Sequence, residues 1–347
     1  MSLTTTREWD PRIEGLRGFS ILLVVVHHLS DHGMHNWGSL GVSIFFVISG
    51  YVITGSISRQ FKLHPVENLN IWTFLRHFYI RRARRLLPLA ILVILTTFTI
   101  SLLDPDADRR QYMLSSIFCL FYIGNLFGFA FSWSDLAPGL AHFWSLAVEE
   151  QFYFIWPILF YLACKSVKII RHFSSWLFFG IFLIQLSHPI IAFAGVTVWT
   201  LPTTYFDLLL LGCALNFINK KVEGVCGRKL IFIKLTGFLA LISILFGTRF
   251  SSEDTISNFQ NNLNFILVGI LFVFTLNSNL FNNSGLKFFG KISYSLYCIH
   301  WPLTVFCKSF FGDSSLLMIC VALISIVLST LSHRYFESRF YKSTFYA

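Results

Sequence analysis

The sequence predicts an all-α polytopic membrane protein. Hydrophobic residues make up 55% of the chain and charged residues only 13%, the mean hydropathy is +0.65, and apolar segments long enough to cross a bilayer recur along the chain. The formal net charge of +10 would suggest nucleic acid in a soluble protein. Here the basic residues cluster between apolar segments, as the positive-inside rule requires, so the lipid bilayer is the expected partner and nucleic acid is not. Seven cysteines (Cys119, Cys164, Cys213, Cys226, Cys298, Cys307, Cys320) lie outside any loop expected beyond the cytoplasm and lack metal-ligand spacing. Neither a disulfide framework nor a metal site is expected.

The candidate spans lie near residues 16–32, 37–57, 86–103, 111–131, 142–164, 174–195, 203–219, 230–248, 260–280, 293–311 and 315–333. The first, "RGFSILLVVVHHLS", ends in His27 and His28 with no small-residue cleavage site, so it is a retained helix rather than a signal peptide. The second carries Ser49 and Gly50 in mid-span, where small residues mark close helix packing. The third follows a basic cluster over residues 59–85, closed by "FLRHFYIRRARRLLP". Further clusters at "KSVKIIRH", "NKKVEGVCGRK", "GLKFFGK" and "HRYFESRFYK" mark the cytoplasmic side after the fifth, seventh, ninth and eleventh segments. With Arg7, Arg12 and Arg17 ahead of the first span, both termini are expected in the cytoplasm.

Two cytoplasmic termini need an even number of crossings, so one of the eleven segments does not span. The surplus falls between Arg85 and Lys165, where three segments lie. The candidate is 111–131, "QYMLSSIFCLFYIGNLFGFAF", whose glycines and Asn125 suit a re-entrant or interfacial element. About ten spans remain, in a single membrane domain over residues 1–347 with no appended soluble domain expected.

Three constellations stand out chemically. In the first helix, eleven positions separate Arg17 from His28, which is a rise of about 16 Å and an angular offset of about 20°, so the two share a face while His27 points elsewhere. An arginine at the cytoplasmic mouth can hold an anion, and a histidine deeper on the same stripe can handle a proton. The structural alternative is a snorkelling arginine and a histidine bonded to a buried carbonyl. In "YIRRARRLLP", Arg82 and Arg85 stand at i and i+3, suited to a phosphate, although a basic cluster at a span is also a plain topology anchor. In "HFWSLAVEEQFYFIWP", Glu149 and Glu150 sit in an apolar aromatic segment and need compensation, with Ser145 and His142 on the face of Glu149. They serve either catalysis or helix packing. Asp207 in "TTYFDLLLLGCALN" also needs a partner, and His300 in "SYSLYCIHWPL" fits a packed core histidine as well as a ligand.

The motifs "RGFSILLVVVHH", "GVSIFFVISGYVI", "FYIRRARRLLP", "HFWSLAVEEQFYFIWP" and "KISYSLYCIHWPL" occur in the order and spacing of the integral membrane acyltransferase family 3, the bacterial polysaccharide O-acetyltransferase type. The chain resembles that family from about residue 10 to residue 340. The resemblance implies a multi-pass enzyme of the bacterial inner (cytoplasmic) membrane that takes acetyl from cytoplasmic acetyl-CoA and passes it to a hydroxyl of a glycan, free or lipid-linked. It places the family's Arg-x10-His pair on Arg17 and His28, its Arg-x-x-Arg motif on Arg82 and Arg85, and its acidic pair on Glu149 and Glu150. His28 is then the catalytic base or an acyl-imidazole relay, Glu149 or Glu150 orients it, and Arg17, Arg82 and Arg85 hold the coenzyme A phosphates. Ser49, Trp144 or a backbone donor could carry the oxyanion charge. Where many relatives have an arginine and a glutamate ahead of "LLLG", this chain has "TYFDLLLLG", which leaves Asp207 as the acid and the arginine missing. A proton-coupled transporter, with His28 and the acids as a relay, is the alternative reading.

Overall fold

The computed structural model describes residues 10–30, 37–63, 66, 69–127, 136–193, 202–223, 227–246 and 254–342. Arg7, Cys226 and the last residues of the segment 111–131 lie outside them. Among the described residues the fold is entirely helical. Helix α1 (Pro11–Leu29) starts at Asp10, whose carboxylate accepts the Arg12 backbone N–H, with Pro11 in the first turn where its missing donor costs nothing. α2 (Trp37–Leu63) follows, and then α3 (Ile71–Ser101), capped by the Asn70 side chain.

The arginine cluster lies inside α3, not in a connection before a span. Asn70 starts the helix early, arginine is a good helix former, and Pro88 interrupts one backbone bond without ending it. The segment expected not to span breaks up instead. α4 (Arg109–Leu120) has 12 residues, a rise of about 18 Å, which is shorter than a bilayer's hydrocarbon core. It ends at Phe121, Tyr122 adopts a left-handed backbone with φ 54°, and a 3₁₀ turn covers Gly124–Leu126.

A second 3₁₀ turn, Pro138–Leu140, leads into α5 (Phe143–Cys164), followed by α6 (Val167–Arg171), α7 (Phe173–Phe193), α8 (Pro202–Glu223), α9 (Arg228–Phe246) and α10 (Asp254–Leu276). The short α11 (Ser284–Lys291) precedes α12 (Ser293–Phe311) and α13 (Ser315–Leu331), which runs through a π-helical turn (Ser332–Glu337) into α14 (Ser338–Lys342). By length and composition, three described helical stretches can cross a membrane: Trp37–Lys62, Ile71–Ser101 and Ser315–Phe340. Shorter apolar helical stretches cover Phe173–Ser187, Tyr205–Ile218 and Phe265–Leu276.

Helix α1 sits at the centre, with Leu16, Ile21 and Val24 fully buried, and packs against α2, α11 and α12. Lipid tails are as apolar as the side chains, so helix association rests on close van der Waals contact more than on water exclusion. Two glycines set how close. A Cβ on Gly18 would overlap the Leu286 carbonyl oxygen, and one on Gly50 would overlap that of Leu209 in α8. The first contact brings the chain just before α12 against the Arg17 turn.

Candidate active site

A cavity opens between α1, α2, α3, α5 and α12, with about 910 Å³ of empty space, part of it open to solvent. Five of the six residues singled out by sequence line it: Arg17, Arg82, Arg85, Glu149 and Glu150. Polar side chains beside them come from Ser49, Tyr122, Ser145, Tyr153, Ser293, Tyr294 and Tyr297, and apolar walls from Phe45, Ile48 and Leu146.

Arg82 organises the acids. Its Nε donates to Glu150 Oε1 at 3.1 Å, its Nη2 lies 4.0 Å from Glu149 Oε2, and its guanidinium sits over the Tyr153 ring. Glu149 also accepts from Ser49 Oγ and from Tyr153 OH, both at 3.1 Å. One cation thus faces two carboxylates with hydrogen-bond partners and an aromatic face, which is how buried charges are made tolerable. In this structure the fork of Arg82, expected to face a ligand phosphate, is engaged by Glu149 and Glu150, both about two turns into α5. Arg85, one turn on along α3, lines the same cavity, and Arg17 Nη2 donates to Ser293 Oγ at 3.0 Å.

His28 is not on the cavity wall, and neither glutamate orients it. The carboxylates are drawn to Arg82, while His28 Nδ1 lies 2.8 Å from Nε2 of His300, the two rings meeting edge to edge with their planes 14° apart. The Trp301 ring centroid is 4.4 Å from that of His28, and its Nε1 donates to Pro138 O. His142 completes a cluster of three imidazoles, its ring 5.9 Å from His300 and nearly perpendicular to it. Both His142 ring nitrogens are buried without a hydrogen bond of normal geometry; the ring interacts with the Cys298 backbone, whose usual helical donor is replaced by Pro302.

Tyr297 joins the two halves. Its hydroxyl pairs with Ser145 Oγ at 2.6 Å on the cavity wall and donates to His142 O, and its ring lies 5.9 Å from His300. Sequence reasoning passed over Tyr122, Tyr153, Ser293 and Tyr297, because tyrosine and serine are common in any aromatic membrane chain. The break after α4 is the signal for Tyr122. Gln151 Nε2 donates to Tyr122 O and to Asn125 Oδ1, tying that irregular segment to α5. Trp144 packs on Phe46 and Tyr205 rather than in the cavity. Asp207, 2% exposed, finds its partner in Gln185, and its backbone neighbour Leu208 N also donates to it, away from the cavity. His27 packs on Gly38, on another face from His28 as its position in the helix predicts.

The family model described as "Acyltransferase domain" matches residues 10–334. The chain belongs to that family. O-acetyltransferase OatA of Staphylococcus aureus (strain NCTC 8325 / PS 47) is 28% identical over 360 residues, 97% of this chain and 58% of the relative. A protein of S. aureus (strain COL), provisionally named an O-acetyltransferase, is 28% identical over 359 residues, 96% of this chain and 57% of the relative. The chain therefore spans somewhat over half the length of these curated relatives. No solved structure matches it.

Proposed function

We propose that the chain is a membrane-embedded O-acyltransferase that moves acetyl from cytoplasmic acetyl-CoA to a hydroxyl of a cell-surface or lipid-linked glycan. The carrying observation is the cavity itself, where three arginines and two glutamates converge inside an apolar helical bundle, next to a histidine cluster reached through Tyr297. In this reading the chain makes about ten crossings of a bacterial cytoplasmic membrane with both termini inside. Arg17 and Arg85 hold the donor's phosphates through charge-assisted guanidinium contacts. Arg82, already engaged by the acids, keeps the wall charged and rigid rather than binding the donor alone.

His28 acts as general base. It takes the proton from the acceptor hydroxyl as that oxygen attacks the thioester carbon; the carbon–sulfur bond breaks, and the departing thiolate recovers the proton. The hydroxyl oxygen gains the acetyl group and coenzyme A leaves as the free thiol, so atoms and charge balance.

The test has two arms. Purified in detergent, the protein should bind coenzyme A, with affinity falling at least about tenfold in Arg17→Ala plus Arg85→Ala, which removes two charge-assisted contacts. In cells lacking the gene, the native protein should restore an acetyl mass shift on surface glycans, and His28→Ala at equal membrane abundance should not. Equal coenzyme A binding by native and doubly substituted protein would sink the donor assignment; full acetylation with His28→Ala would sink the base.

A further inference from the structure

The hydrogen-bonded histidines fix which nitrogen of His28 is available, and the assignment follows from donors and acceptors alone. His300 is 0% exposed, and its Nδ1 lies 2.8 Å from the backbone oxygen of Leu296, one turn earlier in α12. A carbonyl oxygen only accepts, so His300 Nδ1 carries a proton. A second proton on Nε2 would make this ring a buried cation. The carboxylates of Glu149 and Glu150 are engaged by Arg82, and the rings around His300 are His28, His142 and Tyr297, none of them an anion. An unpaired buried cation is costly, so His300 is neutral with a lone pair at Nε2. The 2.8 Å contact to His28 Nδ1 then needs its proton from His28.

We propose that His300 is a positioning residue that holds His28 as the Nδ1–H tautomer and leaves Nε2 as its basic nitrogen. This rests on reading His28 as the base. The Leu296 carbonyl, His300 and His28 form a line of two donated protons, in which a neutral imidazole fixed by a backbone carbonyl occupies the place a carboxylate holds in a hydrolase triad. The ring is fixed from both sides: His300 is tied to α12 through Leu296 O, and Trp301, tied to Pro138 O, abuts the His28 ring.

The reversed arrangement fails on its own terms. If His28 were protonated at Nε2 and accepted at Nδ1, His300 would have to donate from Nε2. It would then be either a buried cation or a ring turning a bare nitrogen towards a carbonyl.

The decisive measurement is the ring ¹⁵N spectrum of [¹⁵N]histidine-labelled protein in nanodiscs, with the His28 signals assigned from their loss in His28→Gln. A protonated Nδ1 and bare Nε2 on His28 in the native chain, and a change in that pattern in His300→Leu, are the expected results. A native His28 protonated at Nε2, or one indifferent to His300→Leu, overturns the proposal.

Kinetics give a second readout. His300→Gln places an amide oxygen where Nε2 stood and should keep kcat within about tenfold, while His300→Leu should lose about 100-fold or more in kcat with the donor KM within about threefold. Equal losses in both variants would mean His300 is only packing. Should His300→Leu not fold, His300→Gln and the native spectrum still decide. A bare Nε2 on His28 combined with full transfer by His28→Ala would uphold the tautomer and end the reading of His28 as the base, so the two ideas fail separately.

Discussion

The cavity and the histidine cluster are both polar groups held in an apolar bundle, yet they are made tolerable in opposite ways. In the cavity, Arg82, Glu149 and Glu150 keep their charges and compensate them through ion pairs, a serine, a tyrosine hydroxyl and an aromatic face. In the cluster, His28 and His300 are joined by a directed line of hydrogen bonds ending on a backbone carbonyl, the His142 ring meets His300 edge-on, and no counter-ion lies against them among the described residues. The lesson concerns what each can respond to. Compensated charge suits holding a charged partner, because one ion can be exchanged for another. A neutral directed line suits moving a proton, because each ring already has one donor and one acceptor in place.

Substitutions at three positions break or sharpen that contrast. The largest effect belongs to Arg82→Ala, which strands two carboxylates in the bundle and should cost about 3–5 kcal/mol, seen as a lowered Tm in detergent. Arg82→Lys should recover only part, since it keeps the charge but not the fork. An unchanged Tm for Arg82→Ala would mean the acids find water or another partner, and the ionic half of the comparison would fall. Next comes Gln151→Leu, which removes the amide tying Tyr122 O and Asn125 to α5 and should cost about 1–3 kcal/mol. Faster hydrogen exchange confined to the segment after α4 is the expected signature, with the histidine signals unmoved. The smallest effect is expected from Asp207→Asn, which keeps the shape and the acceptor oxygen and should shift stability by less than about 1 kcal/mol without altering coenzyme A binding. A large loss of binding there would extend the site to α8.

Much of the cavity was legible because charge inside an apolar run is conspicuous. Arg17, Arg82, Arg85, Glu149 and Glu150 stand out for that reason, and the structure brings them to one wall. What the sequence hid was partnership. Nothing local tells that Glu150 meets Arg82, 68 positions earlier, or that His28 meets His300, 272 positions later, rather than a carboxylate. The non-spanning character expected of 111–131 came from counting crossings. In the structure α4 is too short for a bilayer and stops at Tyr122. The early start of α3 at Ile71 was not legible because a basic run ahead of an apolar span marks a side of the membrane without marking where the helix begins, whereas arginines extend a helix readily.

The glycine contact between α1 and the chain around Leu286 also sets a timetable for biogenesis. Gly18 and Leu286 are 268 positions apart in the chain, so at about 5–20 residues per second the first helix waits on the order of 15–50 s for the segment that closes over it. During that interval Arg17 lacks Ser293 and His28 lacks His300, both of which arrive with the same late segment. The newborn first helix must therefore sit in the membrane with its arginine and histidine attended by lipid headgroups, water or a helper protein. Arg17 and His28 then gain these partners together, when α11 and α12 dock.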